Sequence, residues 1–218
     1  MTYVKLHTEF TTQIRENIIF KVINRTKHQE LLKKIPYIDY LDLAIIFYCY
    51  LPEEGNEDSK SFAQIDNSLL EQWNVDVKML MDAAIENTPR ILGLKIRGIF
   101  STIASYIGND GLSEIAEFED SHTPLYVATN NDAVNGAGVL IYKDALKMFA
   151  EKIKADLYII PCSIHEIIIV KAIEGCDMNL DGLKEMIYQV NRTELSPQDY
   201  LSDNLYFYNR KEGVLGII

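Results

Sequence analysis

Residues 161–166 read Pro-Cys-Ser-Ile-His-Glu, placing a thiol, a hydroxyl, an imidazole and a carboxylate in one short stretch. Nucleophilic catalysis needs a base within hydrogen-bond reach of the nucleophile and a third group that orients the base. Ser163 or Cys162 with His165 offers that chemistry, and Glu166 extends the set. A small hydrolase or transferase is therefore one reading. Against it, nucleophile and base usually come from distant segments, and no nucleophile-elbow glycine spacing surrounds Ser163. In an extended strand His165 shares a face with Ile167 and Ile169, and Glu166 shares the other with Ile168 and Val170. The competing reading is a turn in which Ser163 caps loose amides while His165 and Glu166 tie down a sheet end. His165-Glu166 also opens like the zinc-protease motif HExxH, but position 169 is Ile. That metal site needs two histidines one helical turn apart, so no metal is predicted.

Three further residues are candidates for ligand binding. Arg90 ends the run Asn87-Thr88-Pro89-Arg90 at an expected helix terminus. Its guanidinium fork suits a ligand carboxylate or phosphate, or an acidic partner such as Asp203. Asn130 opens a loop of Asn, Asp and Gly over residues 130–138, where small residues let backbone amides approach a ligand or make a tight hairpin. Neither Walker A nor GxGxxG spacing occurs, so no nucleotide and no cofactor is expected.

Composition bounds the partners. The chain has 218 residues with 32 acidic and 21 basic side chains, for a formal net charge of −11. Nucleic-acid affinity comes largely from Lys and Arg on phosphates, and anionic membrane surfaces attract the same groups. Neither partner is expected here. The basic group Lys143, Lys147, Lys152 and Lys154 is spaced like the solvated face of a helix. Cys49, Cys162 and Cys176 form no CxxC pair, which fits a reducing compartment, and residues 1–20 lack a signal-peptide pattern. A cytoplasmic location is expected. Tyr200, Tyr206 and Tyr208 crowd the C-terminal end. They suit either a core rim or a protein-partner surface on a Tyr-rich strand.

The elements that must position these groups follow from hydrophobic period. Residues 10–18 repeat apolar positions every four residues, which predicts a helix, and residues 19–24 form a short β-branched run. Thr26 and Gln29 have capping-box spacing. Residues 41–51 are apolar on both parities, as in a central strand buried on both faces or, alternatively, a buried helix, with residues 62–65 returning as a paired strand. Val77, Leu80, Met81, Ala84 and Ile85 define a helix capped by Asp76 and ended by Pro89. Residues 98–107 predict another helix, and the acidic residues 109–123 a linker. From residue 124 the pattern predicts strands at 125–129 and 139–142, a helix from Asp144, strands at 157–160 and 165–171, and a helix over 180–190. A hairpin over 205–208 and 214–218 follows. The expected fold is α+β. It has a helix-rich half (1–108) with one buried strand and a ββαββα half (124–218), a mostly antiparallel sheet covered by helices in two layers.

The ordered motifs also resemble a family. They are Asp42-Leu43-Ala44 with Phe47-Tyr48-Cys49, Asn87-Thr88-Pro89-Arg90, and Leu125-Tyr126 with Thr129-Asn130. Ser163-Ile164-His165-Glu166 and Leu201-Ser202-Asp203 with Tyr206 and Tyr208 complete the series. Together they are similar to an uncharacterised bacterial family, domain of unknown function family 5688. The resemblance implies no particular chemistry. With no complete catalytic set, the expectation is a non-enzymatic binding or protein-interaction domain, the hydrolase or transferase reading standing as its alternative.

Overall fold

The computed structural model describes residues 9–52, 60–108, 110–161, 163–173, 175 and 178–218. The chain divides between Gly93 and Leu94 into two units.

The first unit comprises α1 (Thr12–Arg15), β1 (Ile18–Asn24), α2 (Gln29–Leu32), β2 (Tyr37–Tyr40), β3 (Leu43–Pro52), β4 (Lys60–Gln64), α3 (Asn67–Trp73) and α4 (Val77–Leu92). Its four strands pair antiparallel around β3, with β1 and β2 along one part and β4 along another. Such a central strand must be apolar on both faces, and Leu43, Ala44, Ile45, Ile46 and Phe47 are all buried. Asp76 caps α4 as the sequence predicts, its Oδ1 accepting the Met79 amide at 2.8 Å. Four expectations are corrected. Residues 10–18 yield only the short α1 before β1 begins, and His28 rather than Thr26 stands at the start of α2. Pro89 does not end α4, which runs on to Leu92 before Gly93. The carbonyl four residues before Pro89 simply lacks one amide donor, a loss a long packed helix tolerates. The half expected to be helix-rich contains four strands.

The second unit comprises β5 (Lys95–Gly98), α5 (Ile99–Ile107), α6 (Ser113–His122), β6 (Leu125–Thr129), α7 (Ala145–Ile153), β7 (Leu157–Ile160), β8 (Ile167–Lys171), α8 (Leu180–Thr193), β9 (Tyr206–Asn209) and β10 (Val214–Ile217). Its sheet has the order β10-β9-β7-β8-β6-β5, antiparallel at every pairing. The α+β class and the C-terminal hairpin thus agree with the sequence pattern. Ile187 of α8 packs with Ile160, Val170 and Leu205. On the other parity Tyr126 meets Phe149 of α7 edge-on, with ring centroids 5.0 Å apart. Helices therefore flank both faces of this sheet, whereas the pattern predicts covering from one side.

Two local assignments also differ. The acidic stretch read as linker contains α6, and its Asp120 carboxylate accepts the Phe100 and Ser101 amides at 2.8 and 3.0 Å. Gly98 at the head of α5 has no side chain to cap these donors, so Asp120 does so from a neighbouring helix. Of residues 139–142, expected as a strand, the first three belong to a 3-10 helix over Gly136–Ile141 and Tyr142 is its C-cap. The two small residues Gly136 and Gly138 let it sink into the core.

Candidate functional site

The reactive-looking stretch lies in the second unit, where β7 turns into β8. Two segments hold it. Beyond the end of β6, Asn130 folds its side chain into its own loop. Its Oδ1 accepts the Asp132 and Val134 amides at 3.1 and 3.4 Å, and its Nδ2 donates to the Val134 carbonyl at 2.9 Å. This is the backbone-mimicking turn that Asn favours. Asn135 then adopts a left-handed conformation with φ 52°. On the other side, the Ile164 amide donates to the Asp199 carbonyl at 2.8 Å and the Ser202 amide to the Pro161 carbonyl at 3.0 Å.

His165 sits at the junction. The Asn135 amide donates to His165 Nδ1 at 3.2 Å, and His165 Nε2 lies 3.2 Å from Asp199 Oδ1. A ring nitrogen that accepts a hydrogen bond carries no proton, so the neutral imidazole holds its proton on Nε2 and donates it to Asp199. Thr129 Oγ1 donates to the His165 carbonyl at 2.7 Å. Ser163 is buried, and its Oγ accepts the His165 main-chain amide at 3.0 Å. The hydroxyl thus caps a turn, and both nitrogens of the imidazole face other partners. Burial raises the Glu166 carboxyl above its usual range, with His165 pulling the other way. Cys162 lies outside the described residues.

The ligand candidates are likewise built into the framework. In the first unit Asn87 Nδ2 donates to the Arg15 and Ile18 carbonyls at 2.8 and 3.1 Å. Arg90 donates to the Glu16 carbonyl and, at 3.0 Å, to Asn87 Oδ1. The Thr88 hydroxyl donates to Ala84 O at 2.7 Å and accepts the Phe20 amide at 3.0 Å. The Asn-Thr-Pro-Arg run is thus a staple between α4 and the start of β1. Asp203, in the second unit, pairs through both oxygens with Arg192, at 3.0 and 2.9 Å. Burial pushes its pKa up, but hydrogen bonds from Arg192, Asn191 and Tyr200 outweigh this and hold the carboxyl below its ordinary value. The structure joins Ser163 to His165, keeps the Asn130 side chain within its own loop, and gives Arg90 and Asp203 separate partners. Tyr206 and Tyr208 are buried on β9, an interior strand between β7 and β10.

The opposite end of the same sheet is open. There β8 and β9 end and β6 and β7 begin, around a cleft of about 650 Å³. Its lining includes His122, Lys154, Asp156, Lys171, Arg210 and Lys211. The Asp156 carboxylate accepts the Arg210 amide at 2.8 Å, and its carbonyl accepts the Ala172 amide at 2.9 Å. Sequence reading passed over these residues because they come from four separate chain segments. Lys154 was grouped with a solvated helix face, yet it occupies the left-handed position after α7 with φ 56°. The one local signal was a lysine or arginine at or just past the ends of α7, β8 and β9. Among the described residues no cluster of three or more His, Cys, Asp or Glu side chains could hold a metal.

A family of unknown function, DUF5688, matches residues 4–210. The chain belongs to that family. Neither the curated proteins nor the solved structures searched include a match. The membership of this DUF5688 protein agrees with the resemblance carried by its motifs, and it leaves the chemistry to be argued from geometry.

Proposed function

We propose that this DUF5688 protein is a cytoplasmic, non-enzymatic binding domain. The observation that carries this reading is the commitment of His165, whose ring nitrogens face the Asn135 amide and Asp199. A general base must offer a free nitrogen to the proton it takes. Here the imidazole joins three chain segments, and the buried Ser163 hydroxyl closes their turn. The polar cleft at the far end of the sheet supports binding, since a concave site with a few convergent polar groups is the usual form of a small-molecule site. Among the described residues no helix is long and apolar enough to cross a membrane.

A fluorophosphonate probe separates this reading from the hydrolase or transferase alternative. The expected result is no labelling of Ser163 in the folded protein. Labelling that disappears in His165→Ala, with the fold intact by circular dichroism, would overturn the proposal.

A further inference from the structure

We propose that the open end of the second unit's sheet binds a small phosphate-bearing molecule, with Arg210 as its anchoring donor. The inference rests on the binding-domain reading and names the ligand class.

The first observation is charge. Lys154, Lys171, Arg210 and Lys211 all line the cleft, against the single carboxylate of Asp156. That carboxylate is already engaged by the Arg210 amide. Among the described residues none of the four cations has an ion-pair partner. In a chain of net charge −11, four cations gathered in one concavity against a single carboxylate stand apart from the general surface. Such a cleft concentrates the field and draws in anions.

The second observation is an orphaned donor. Arg210 Nε is buried and has no hydrogen-bond partner among the described residues. Buried polar groups are ordinarily satisfied, and a charged donor without an acceptor is costly. An oxyanion in the cleft supplies the acceptor after a small turn of the guanidinium. Its planar fork then holds two oxygens of one phosphate, while the lysines act as point charges around it.

Size and charge fix the class. The volume of about 650 Å³ lies within the range of small-molecule sites. A dianionic phosphate uses several cations at once, whereas one carboxylate would leave most of them unmatched. A long nucleic acid would meet the acidic remainder of the chain, which opposes a polyanion.

The test is titration of the full chain with inorganic phosphate and with pyrophosphate at constant ionic strength, read by amide chemical shifts. Saturable shifts are expected at Lys171, Ala172 and Arg210. Affinity should fall roughly tenfold or more in Arg210→Lys, which keeps the charge but loses the fork. Lys211→Gln, at an exposed position that leaves the core untouched, should weaken binding as well. Lys147→Gln, exposed on α7 and outside the cleft, should not. Equal affinity in all three variants, or shifts that chloride reproduces, overturns the proposal. So does citrate moving these amides where phosphate does not, or an oligonucleotide that phosphate cannot displace. Failure of the binding-domain reading registers separately, as His165-dependent labelling of Ser163.

Discussion

His165 Nδ1 accepts the amide of Asn135, 30 residues earlier, and its Nε2 faces Asp199, 34 residues later. One imidazole therefore fastens two loops to the turn between β7 and β8. The arrangement uses the two chemically distinct nitrogens of the ring, one as acceptor and one as donor. Removing the ring should loosen the turn without touching the strands. His165→Ala is expected to cost about 1–3 kcal/mol in urea denaturation. Asp199→Ala should cost less, about 1 kcal/mol or below, because the pair is partly exposed. A double-mutant cycle should give a coupling of at least about 0.5 kcal/mol. A wild-type midpoint for His165→Ala would remove the fastening role.

Gly136 begins the 3-10 helix beneath that turn. A Cβ there would stand 2.0 Å from Thr129 Oγ1, 2.5 Å from the His165 carbonyl and 2.7 Å from the Asn130 amide. Two of these three atoms are main chain and cannot move aside cheaply. Gly136→Ala is therefore expected to destabilise by about 1–3 kcal/mol or more. Gly216 on β10 has nothing within 4 Å of the same position, so Gly216→Ala should stay within about 0.5 kcal/mol of wild type. Paired thermal melts check the contrast, and equal effects at the two sites would refute it.

Asn87 gives a third prediction. Its amide nitrogen holds the Arg15 and Ile18 carbonyls and its oxygen accepts Arg90. Asn87→Ala leaves main-chain acceptors near β1 without their donor, so a loss of about 2–3 kcal/mol is expected. Arg90→Ala should cost about 1 kcal/mol, since that side chain is exposed. If Arg90 were instead a ligand group, Arg90→Ala would leave the denaturation midpoint unchanged.

The apolar strands themselves were legible because burial leaves a direct trace in the sequence. The doubly apolar stretch at residues 41–51 became the central strand β3, and the alternating strands after residue 124 became β6, β7 and β8. The 3-10 helix over Gly136–Ile141 was misread because Val139, Leu140 and Ile141 are β-formers, while tertiary burial of Gly136 and Gly138 decides their conformation. β2 and β5 left no comparable trace, since their exposed and half-buried residues take their form from β3 and β6. At the candidate site the residue types were visible but their partners were not. Asp199 and Asn135 meet His165 only through the fold. The cleft residues are hidden for the same reason, since Lys154, Lys171 and Arg210 meet only when four strand ends align.

Lys21 carries the last prediction, on pH. It lies on β1 with its Nζ 4.3 Å from the Tyr48 ring centroid and 4.7 Å from that of Phe62. Burial lowers its pKa from 10.5 to about 8. Below pH 8 both folded and unfolded chains carry the proton, and the folded chain bears the full penalty of holding a half-buried ammonium. Between pH 8 and 10.5 the unfolded chain binds more protons than the folded one, so stability should rise with pH across that window. Burial raises the Tyr40 and Tyr48 pKa values, which opposes this trend once tyrosines begin to ionise near the upper end. Lys21→Met should abolish the rise. At pH 7 it removes a penalty of up to roughly 3 kcal/mol and forfeits ring contacts of about 0.5–1 kcal/mol, a net gain of about 2 kcal/mol. Urea denaturation of both proteins from pH 7 to 10 measures the two slopes. A steeper rise in the variant, or a loss of stability at pH 7, would show that the ammonium is held by the rings rather than penalised by burial.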